Sequence, residues 1–216
     1  MLKEACVEDF ASAAQMIAAG AGRIELNSDL STGGTTPSFG LIKKTVDYAH
    51  HHNVPVVVMI RPRGGNFVYD EAELAIMVSD IQVASLAGAD AVTFGCLTKD
   101  CQLNQLQMKR LINLSRNLGL EVVMHMAFDA IPAADQQAAL NWLVTSGVCR
   151  ILTHGGSLDQ PILATIPHLK KIMEWAGQRI AILPGGGITA TNCATIANRL
   201  NVEQLHGTRL VATKKA

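Results

Sequence analysis

Two arginines and two glycines follow directly after a valine-rich run, in the segment Ile-Arg-Pro-Arg-Gly-Gly at residues 60–65. The uninterrupted apolar run at residues 54–59 predicts a strand that is buried on both faces, as in a parallel sheet. Guanidinium groups beside such a strand are costly to bury unless an anion or a carboxylate meets them. Ligands of α/β proteins bind at the carboxyl ends of strands. We therefore predict that Arg61 and Arg63 bind a small anion, with the alternative that Arg63 is a surface residue.

Acidic, thiol and amide side chains occupy alternate positions in the first two apolar segments. Glu4 and Cys6 share one parity in the first segment, and Glu25 and Asn27 share one in the second. Side chains two residues apart on a strand point to the same face. In an enzyme, Glu25 is a candidate general acid or base that Glu4 tunes, and Asn27 is a candidate ligand-binding residue. An equally weighted alternative is that both carboxylates only neutralise nearby arginines in a buried ion network.

Polar residues also end the later apolar segments. His125 ends the fifth segment and is followed by Asp129, while Thr153 ends the sixth and His206 the eighth. In a barrel, outward positions pack under helices, so polar side chains should face the inside or the mouth. We predict His125 and Asp129 as catalytic residues, and Thr153 and His206 as ligand-binding residues. The alternatives are a satisfied core histidine for His125 and, favoured for Asp129 taken alone, a helix cap.

Two glycine-rich loops offer backbone hydrogen-bond donors. Gly185, Gly186 and Gly187 follow the seventh apolar segment, just before a predicted helix, and another glycine follows His206. In (β/α)8 barrels, the loops after the last two strands commonly bind phosphate through their backbone N–H groups. We therefore predict that the three glycines bind a phosphate. A plain tight connection is the alternative. A further glycine loop, at residues 31–38, is predicted to act as a mobile lid over the mouth.

Short apolar segments alternate with segments of helical periodicity along the chain. The predicted strands span residues 4–7, 23–26, 56–60, 91–95, 121–125, 149–153, 179–183 and 204–206. Eight strands alternating with helices predict an α/β fold of the (β/α)8 TIM-barrel type, in a single domain over residues 1–216. The last helix is expected to be short or missing, because few residues follow the last strand. An open doubly wound sheet is the less favoured alternative, since no dinucleotide fingerprint follows the first strand.

Local signals predict where several helices begin and end. Asp70 with Glu73 predicts a capping box, Thr36 before a proline predicts an N-cap, and Thr189 predicts another. Glycines after the helical segments predict their ends, namely Gly20, Gly88, Gly119, Gly147 and Gly177. The histidine triplet at residues 50–52 is predicted at the end of the second helix, where imidazoles suit the helix dipole.

The composition excludes several classes of partner. Eighteen basic and eighteen acidic side chains cancel, which leaves no electrostatic case for nucleic acid or an anionic membrane. No apolar run approaches the roughly 20 residues that span a bilayer, and the N-terminus lacks the character of a signal peptide. Five scattered cysteines fit reduced thiols in the cytoplasm. Charged residues make up only 17% of the chain, which predicts a homo-oligomer, with a dimer as the default.

Taken in order, these motifs resemble those of the CutC family of copper homeostasis proteins. The distinctive segment is Ile-Arg-Pro-Arg-Gly-Gly-Asn-Phe, and the matching segments are residues 4–7, 23–26, 33–38, 60–67, 94–97, 125–129, 151–153, 185–187 and 206–207. The resemblance covers essentially the whole chain. It implies a (β/α)8 barrel, a cytoplasmic protein and a role in copper tolerance or Cu(I) binding. It implies no established reaction.

Two departures from the family pattern bear on copper. Asn27 stands where many members have a cysteine, and Met126 stands where the family usually has an arginine. Cu(I) prefers thiolate and thioether ligands in low coordination. Cys6 remains the candidate metal ligand, but it lacks a thiolate partner on the neighbouring strand. On strict strand alternation, Met124 and Met126 point away from His125, which weakens them as further ligands.

Hypotheses of three kinds remain open. The resemblance implies a protein of copper homeostasis that binds Cu(I), with the copper ion as its partner. The residues themselves favour the alternative of an enzyme that acts on a small phosphorylated or carboxylated metabolite. The reason is that hard ligands and hydrogen-bond donors outnumber soft ligands at the predicted mouth. A third hypothesis is a catalytically silent barrel whose ligand modulates an interaction, and the positions of the residues do not separate it from the second.

Overall fold

In the computed structural model, which describes residues 1–211, eight strands alternate with seven helices. The strands are β1 (Leu2–Val7), β2 (Arg23–Leu26), β3 (Val56–Met59), β4 (Ala91–Phe94), β5 (Glu121–Met124), β6 (Arg150–Thr153), β7 (Ala181–Pro184) and β8 (Gln204–Gly207). The helices are α1 (Phe10–Ala18), α2 (Phe39–His51), α3 (Glu71–Leu86), α4 (Gln105–Asn117), α5 (Gln136–Ser146), α6 (Ile162–Ala176) and α7 (Cys193–Leu200). Two short 3-10 helices, Leu30–Thr32 and Met126–Ala130, follow β2 and β5.

All the strand pairs are parallel, and the strands form one sheet in the order β7-β6-β5-β4-β3-β2-β1-β8. The two ends of this sheet, β7 and β8, contact each other, so the sheet is nearly closed. A parallel bridge between Thr189 and Arg209 joins the segments that follow these two strands. The predicted (β/α)8 TIM barrel is confirmed. Its strand ends bring the loops that carry the predicted site residues to one mouth.

Alternation along the strands separates the inside of the barrel from the outside. Ile24, Val58 and Phe94 belong to the large core cluster, which also holds the buried residues of most of the helices. A smaller apolar cluster comes from the other face of the sheet and consists of Val57, Ala91, Val123, Leu152 and Leu183. The interior positions of β1, β2 and β8 are instead polar, with Glu4, Glu25 and His206 all buried. The polar part of the interior therefore lies on one side of the barrel.

Several local signals form as predicted. Asp70 and Glu73 make the capping box at the start of α3. The five glycines predicted to end helices all have positive φ, between +54° and +96°, a region that glycine adopts without steric cost. The last turn of α2 contains His50 and His51, as predicted for the histidine triplet. All five cysteines lie in the described part of the chain and are free thiols.

The other two N-cap predictions were wrong. Helix α2 begins after Ser38 and α7 after Asn192. The hydroxyl of Thr36 accepts a hydrogen bond of 2.9 Å from the backbone N–H of Arg61, so it fixes the end of β3 and not a helix. The backbone N–H of Thr189 donates to the Asn192 side chain at 2.8 Å, within a turn that precedes the helix. Both threonines belong to a residue type that commonly caps helices. Thr36 instead makes a tertiary hydrogen bond, and Thr189 makes one within a turn.

Residues 208–211 follow β8 without forming a helix. This agrees with the prediction of a short or missing last helix as far as residue 211, and residues 212–216 lie outside the described residues. Within residues 1–211, no helix combines the length and the apolar character needed to cross a bilayer.

Candidate functional site

A cavity of about 270 Å³ lies at the carboxyl ends of the strands. Its polar side chains include most of those predicted from the sequence: Cys6, Glu25, Asn27, Arg61, His125 and His206. The backbone of Gly186 and Gly187 lines it as well. Its apolar wall includes Met59, Phe67, Met126, Leu152 and Ile188. Residues at or just after the ends of five different strands therefore meet in this cavity, as the alternation of side chains along the strands predicts.

Glu4 adjoins this group and joins two basic side chains. Its Oε1 lies 2.7 Å from His206 Nδ1, and its Oε2 accepts a hydrogen bond from Arg23 Nε. Burial raises the pKa of Glu4, but the hydrogen bonds and charges of His206 and Arg23 outweigh burial and lower it to about 2. Glu4 is therefore ionised at neutral pH. The residues that line the cavity do not include Glu4, so its position suits orientation of His206.

Glu25, Cys6 and Asn27 are hydrogen-bonded to one another. The amide of Asn27 donates to Glu25 Oε1 at 3.0 Å and to Cys6 Sγ at 3.3 Å. The other carboxylate oxygen, Glu25 Oε2, is buried and has no hydrogen-bond partner among the described residues. Burial raises the pKa of Glu25; the charge of Glu4 adds to this effect and the charge of His206 opposes it. A carboxylate with a raised pKa is a stronger base than usual, which suits proton transfer.

Cys6 and His206 are both protonated at neutral pH. Burial, with the charge of Glu25, raises the pKa of the Cys6 thiol to about 11. Burial by itself lowers the pKa of His206, but the charge of Glu25 and the hydrogen bonds of Cys6 and Glu4 raise it well above 6.5. The cationic His206 therefore balances the carboxylates beside it, and Cys6 is a thiol and not a thiolate.

Three neighbours fix the ring of His125. The backbone N–H of Ala127 donates to its Nδ1 at 3.1 Å, and the centroid of the Phe67 ring lies 5.0 Å from that of the imidazole. A Cβ on Gly95 would come within 2.9 Å of Nδ1, so only a glycine leaves room for the ring there. Nε2 is buried and has no partner among the described residues. Burial and the charge of Arg61 lower the pKa of His125 to about 3, so the ring is neutral.

The two arginines of the sequence motif have different surroundings. Arg61 lines the cavity and donates to the carbonyl oxygens of Gly34 at 3.0 Å and Gly65 at 2.7 Å, while its Nε has no partner in the described part. Arg63 does not line the cavity, and its guanidinium binds the carboxylate of Glu73. Arg63 is only half-buried, and the chain itself supplies a carboxylate for its guanidinium. Of the two alternatives for Arg63, its position fits the one in which Arg61 alone faces the cavity.

Asp129 and Thr153 lie outside the cavity and bind each other. Asp129 accepts hydrogen bonds from the Thr153 hydroxyl and from the backbone N–H groups of His154 at 2.8 Å and Gly155 at 3.0 Å. Because β6 places Leu152 inside the barrel, Thr153 points outward. Burial raises the pKa of Asp129, while its hydrogen bonds lower it. The structure does not bring either residue to the cavity. Asp129 stabilises the turn after β6 and caps no helix, since α5 begins after Asp135, so its capping alternative was wrong as well.

Backbone donors and a cation lie at the rim of the cavity. The N–H groups of Gly186 and Gly187 find no acceptor within residues 1–211, whereas the N–H of Gly185 donates to the carbonyl of Thr153 at 3.0 Å. Arg209 is exposed and lines the cavity, although sequence reasoning missed it. The signal that could have found it is a cation two residues beyond the glycine that ends β8. Gly186, Gly187 and Arg209 together can bind an anion.

Met126 also lines the cavity, so the expectation that it points away was wrong. Strand β5 ends at Met124 and a 3-10 helix begins at Met126, which interrupts the alternation of side chains. The error came from extending strand geometry past the end of the strand. Met124 lies in the outer core as expected.

The fold and the cavity define the class of protein: a (β/α)8 barrel with a cavity at the carboxyl ends of its strands. Within that class, residues 1–211 match the model of the CutC family. The chain belongs to the CutC family.

Relatives in this family are similar over almost the whole chain. A CutC family protein from Enterococcus faecalis is 47% identical over 211 residues, covering 98% of this chain and 100% of that relative. The human copper homeostasis protein cutC homolog is 41% identical over 205 residues, covering 95% of this chain and 72% of its own length. The crystal structure of a copper homeostasis protein CutC from Streptococcus agalactiae matches with a TM-score of 0.93 at 43% identity, covering 98% of this chain and 100% of that one.

More distant solved structures share the fold alone. A deoxyribose phosphate aldolase from Aeropyrum pernix is 12% identical with a TM-score of 0.71, covering 95% of this chain and 85% of its own. At such identity the likeness carries no statement about activity. None of the residues that line the cavity in the described part is a lysine, so no side chain there can form a Schiff base with a carbonyl.

Proposed function

We propose that the cavity binds a small phosphorylated or carboxylated metabolite and that the protein acts on it as an enzyme. One observation carries this proposal. Glu25, Arg61 and His125 all line the cavity, and each has a buried polar atom without a hydrogen-bond partner among the described residues. Buried polar atoms in proteins are nearly always paired. A cavity bordered by such donors and acceptors is suited to a polar ligand that pairs with them.

The rest of the cavity suits a small anion in particular. Arg209 and the free N–H groups of Gly186 and Gly187 offer a binding site for a phosphate or a carboxylate at the rim. Phe67 and Leu152 offer an apolar surface to a short carbon skeleton. The volume of about 270 Å³ lies below the range of roughly 300–1,000 Å³ that is typical of pockets for drug-sized ligands, which favours a small metabolite.

Thermal unfolding with a panel of small anions tests the binding part of this proposal. The panel consists of inorganic phosphate, 2-phosphoglycolate, pyruvate, dihydroxyacetone phosphate and glyceraldehyde 3-phosphate. We expect at least one compound to raise the Tm by roughly 5 °C near saturation. The effect should disappear in Arg209→Ala and persist in Arg199→Ala, a matched control because Arg199 is an exposed arginine on α7 outside the cavity. Absence of any shift, or equal shifts in the two variants, would contradict the proposal.

Binding of Cu(I) as cargo is a second candidate, since relatives are named for copper homeostasis. It is favoured by one observation: Cys6, Glu25 and His206 each offer a ligand atom, and these atoms lie within 4.8 Å of one another. Glu4 binds Nδ1 of His206, and metal-bound histidines commonly have such a carboxylate partner, but Nε2 must lose the proton of the cationic ring before it can bind an ion. The fit to Cu(I) is partial, because the group has one sulfur, protonated at neutral pH, and a hard carboxylate.

Competition with a chromophoric Cu(I) chelator under reducing conditions tests this second candidate. A site built on Cys6 should bind one Cu(I) per chain in the wild type. It should lose that ion in Cys6→Ser and keep it in Cys101→Ser, because Cys101 is exposed and outside the cavity. Retention of Cu(I) by Cys6→Ser, or its loss in Cys101→Ser, would place any copper elsewhere.

A further inference from the structure

His125 is held in a single tautomer by its backbone neighbour. The N–H of Ala127 donates to Nδ1 at 3.1 Å, so Nδ1 carries a lone pair and not a proton. A neutral imidazole has one proton, which must then be on Nε2. Nε2 is therefore a donor, and it is a buried donor that no acceptor meets within the described residues.

This state is incompatible with a role as general base. Burial and the charge of Arg61 keep the pKa of His125 at about 3, so the ring stays neutral at physiological pH. Nδ1 is occupied by a backbone donor and Nε2 already holds its proton. His125 can donate a hydrogen bond to a ligand but cannot accept a proton from it, which revises the acid–base role predicted from its place at a strand end.

The groups around His125 suit an oxygen that carries negative charge. The Phe67 ring lies 4.9 Å from Arg61 Cζ and 5.0 Å from the His125 ring, so these three side chains lie together along the cavity. Gly95, Phe67 and Ala127 hold the imidazole in place before any ligand arrives. A fixed donor of this kind needs no reorganisation when charge develops on its acceptor. Glu25 lines the same cavity, and its Oε2 lies 3.9 Å from His206 Nδ1 but has no hydrogen-bond partner among the described residues.

We infer that His125 donates its Nε2–H to a carbonyl oxygen of the substrate, and that Glu25 removes a proton from the carbon next to that carbonyl. This inference rests on the proposed function and names its substrate class: a short carbonyl compound with a phosphate or carboxylate at its other end. Arg209 and the glycine N–H groups at the rim take that anion.

The step balances without any further reactant. The C–H bond breaks and its proton goes to Glu25, while the electron pair of that bond forms a carbon–carbon double bond. The π pair of the carbonyl moves to its oxygen, which becomes an oxyanion that accepts the Nε2–H of His125 next to the Arg61 guanidinium. Return of the proton from Glu25 to the carbon restores the carbonyl. The reaction class is enolisation, the first half of isomerisation or epimerisation.

NMR of the intact protein labelled with ¹⁵N-histidine tests the state of His125 without any substrate. The signal is assigned by its absence in His125→Gln. We expect the proton on Nε2 and none on Nδ1, with no titration of this ring across the physiological pH range. A proton on Nδ1, or titration near the ordinary pKa of histidine, would overturn the donor role.

Deuterium exchange tests the reaction. Each of pyruvate, dihydroxyacetone phosphate and glyceraldehyde 3-phosphate that raises the Tm is incubated with protein in D₂O, and loss of the hydrogen next to its carbonyl is followed by NMR. We expect exchange with the wild type and none above background with Glu25→Gln. His125→Phe should lower the rate about 100-fold or more, the usual effect of removing one oxyanion donor, and His125→Gln, which keeps an amide donor, should lower it less.

The outcomes separate the two proposals. Carbonyl compounds that bind without exchanging would overturn enolisation and leave the proposed anion site standing. Equal rates in His125→Phe and His125→Gln would overturn the donor role alone. If no compound of the panel binds, the proposed function fails and the inference fails with it.

Discussion

Glu4 determines the charge state of its neighbours in the barrel interior. It is only 2% exposed, yet the hydrogen bonds from Arg23 and His206 keep it ionised. In return, Glu4 is one of the groups that keep His206 protonated next to Glu25. Removing one partner from such a buried pair leaves an uncompensated charge, which costs far more than the pair itself contributes. Single substitutions in this network should therefore have large effects.

We expect Glu4→Gln to lower the free energy of unfolding by about 3 kcal/mol or more, because two cations lose their carboxylate inside the barrel. Urea denaturation at neutral pH measures the change. Glu71→Gln is the control, since Glu71 pairs with Arg110 while its side chain is 85% exposed. A surface pair of this kind contributes only about 0–1 kcal/mol. Similar losses in the two variants would contradict this account of Glu4.

The titration of His125 should affect how the free energy of unfolding depends on pH on the acid side, and the titration of His206 should affect it on the alkaline side. Folding lowers the pKa of His125 from 6.5 to about 3, so below pH 6.5 the unfolded chain binds a proton that the native protein does not. The free energy of unfolding must then fall as the pH falls through this window. Folding raises the pKa of His206, so its contribution is complete below pH 6.5 and is lost as the pH rises through the raised value.

Urea denaturation across the pH range checks this pair of shifts. His125→Gln removes the group that titrates only in the unfolded chain, so its profile should be flatter than that of the wild type below pH 6.5. Above that pH the two profiles should run parallel, because His206 is present in both proteins. Parallel profiles on the acid side would show that His125 is not held neutral.

Residue types and strand parity were enough to locate much of the cavity. Side chains alternate with a period of two, so a polar residue on the interior parity near the carboxyl end of a strand reaches the mouth. This reasoning placed Cys6, Glu25, Arg61, His125 and His206. It failed in loops, where a side chain follows its partners: Arg63 meets Glu73, and Asp129 meets the turn after β6. Such partners are distant in sequence and leave no local pattern.

At the scale of elements, Arg61 connects the loop after β2 to the loop after β3. Its guanidinium donates to the carbonyls of Thr32 and Gly34 on one side and of Gly65 on the other. An antiparallel bridge between Ser28 and Thr35 further closes the first loop. The predicted lid at residues 31–38 would therefore have to break the bonds of Arg61 in order to open.

We expect Arg61→Lys to loosen both loops together, because a single ammonium group cannot reproduce the fork of the guanidinium. Hydrogen–deuterium exchange should become roughly tenfold faster at residues 28–36 and 63–67, since bonds to charged groups contribute about 1.5–3 kcal/mol. Arg110→Lys is the control, because Arg110 is half exposed and pairs only at the surface. Acceleration confined to one loop would contradict this connecting role.

Gly95 positions His125 from the neighbouring strand end. An added Cβ would lie 2.9 Å from both Cε1 and Nδ1 of the imidazole, so Gly95→Ala should cost about 1–3 kcal/mol by overpacking. Gly40→Ala is the matched control, because nothing lies within 4 Å of a Cβ there and the residue is within α2. There alanine should stabilise by up to about 1 kcal/mol. Differential scanning calorimetry distinguishes the two, and a neutral Gly95→Ala would contradict the close fit.

Strands were easier to predict than helix starts. The run of valines in β3 fits a buried strand better than any other element. The predicted end of this strand differs from the observed end by one residue. Thr36 and Thr189 have the right residue type for an N-cap. The sequence does not show, however, that Thr36 is hydrogen-bonded to the backbone of Arg61 and Thr189 to the side chain of Asn192. Local preference is weak where a distant or turn partner competes for the same group.

At the scale of the whole molecule, apolar side chains remain on the outside of two adjacent helices. Leu86 of α3 is 77% exposed, Ile76 of α3 is 50% exposed and Leu106 of α4 is 82% exposed. Helices α3 and α4 pack against each other. Together with the low share of charged residues, these exposed apolar side chains favour association with a second copy of the chain.

We therefore expect a homodimer in sedimentation velocity at micromolar concentration. Leu106→Glu should shift the population to monomer by placing a charge among the exposed apolar side chains of α3 and α4. Leu163→Glu on α6 is the control, because Leu163 is also exposed, at 48%, but lies on another side of the barrel. A wild type that sediments as a monomer would contradict the expectation.

The contacts of Glu4 have a consequence for how such a barrel can diverge. Arg23 begins β2 and lines a surface pocket at the amino-terminal ends of the strands, far from any ligand at the mouth. A chain of contacts nevertheless joins it to Glu25: Arg23 binds Glu4, Glu4 binds His206 Nδ1, and this Nδ1 lies 3.9 Å from Glu25 Oε2. The amino-terminal end of a barrel is ordinarily assigned to stability and the opposite end to chemistry. In this barrel, a substitution of Arg23 at the amino-terminal end can change the pKa of Glu25 at the mouth without altering any residue that lines the cavity.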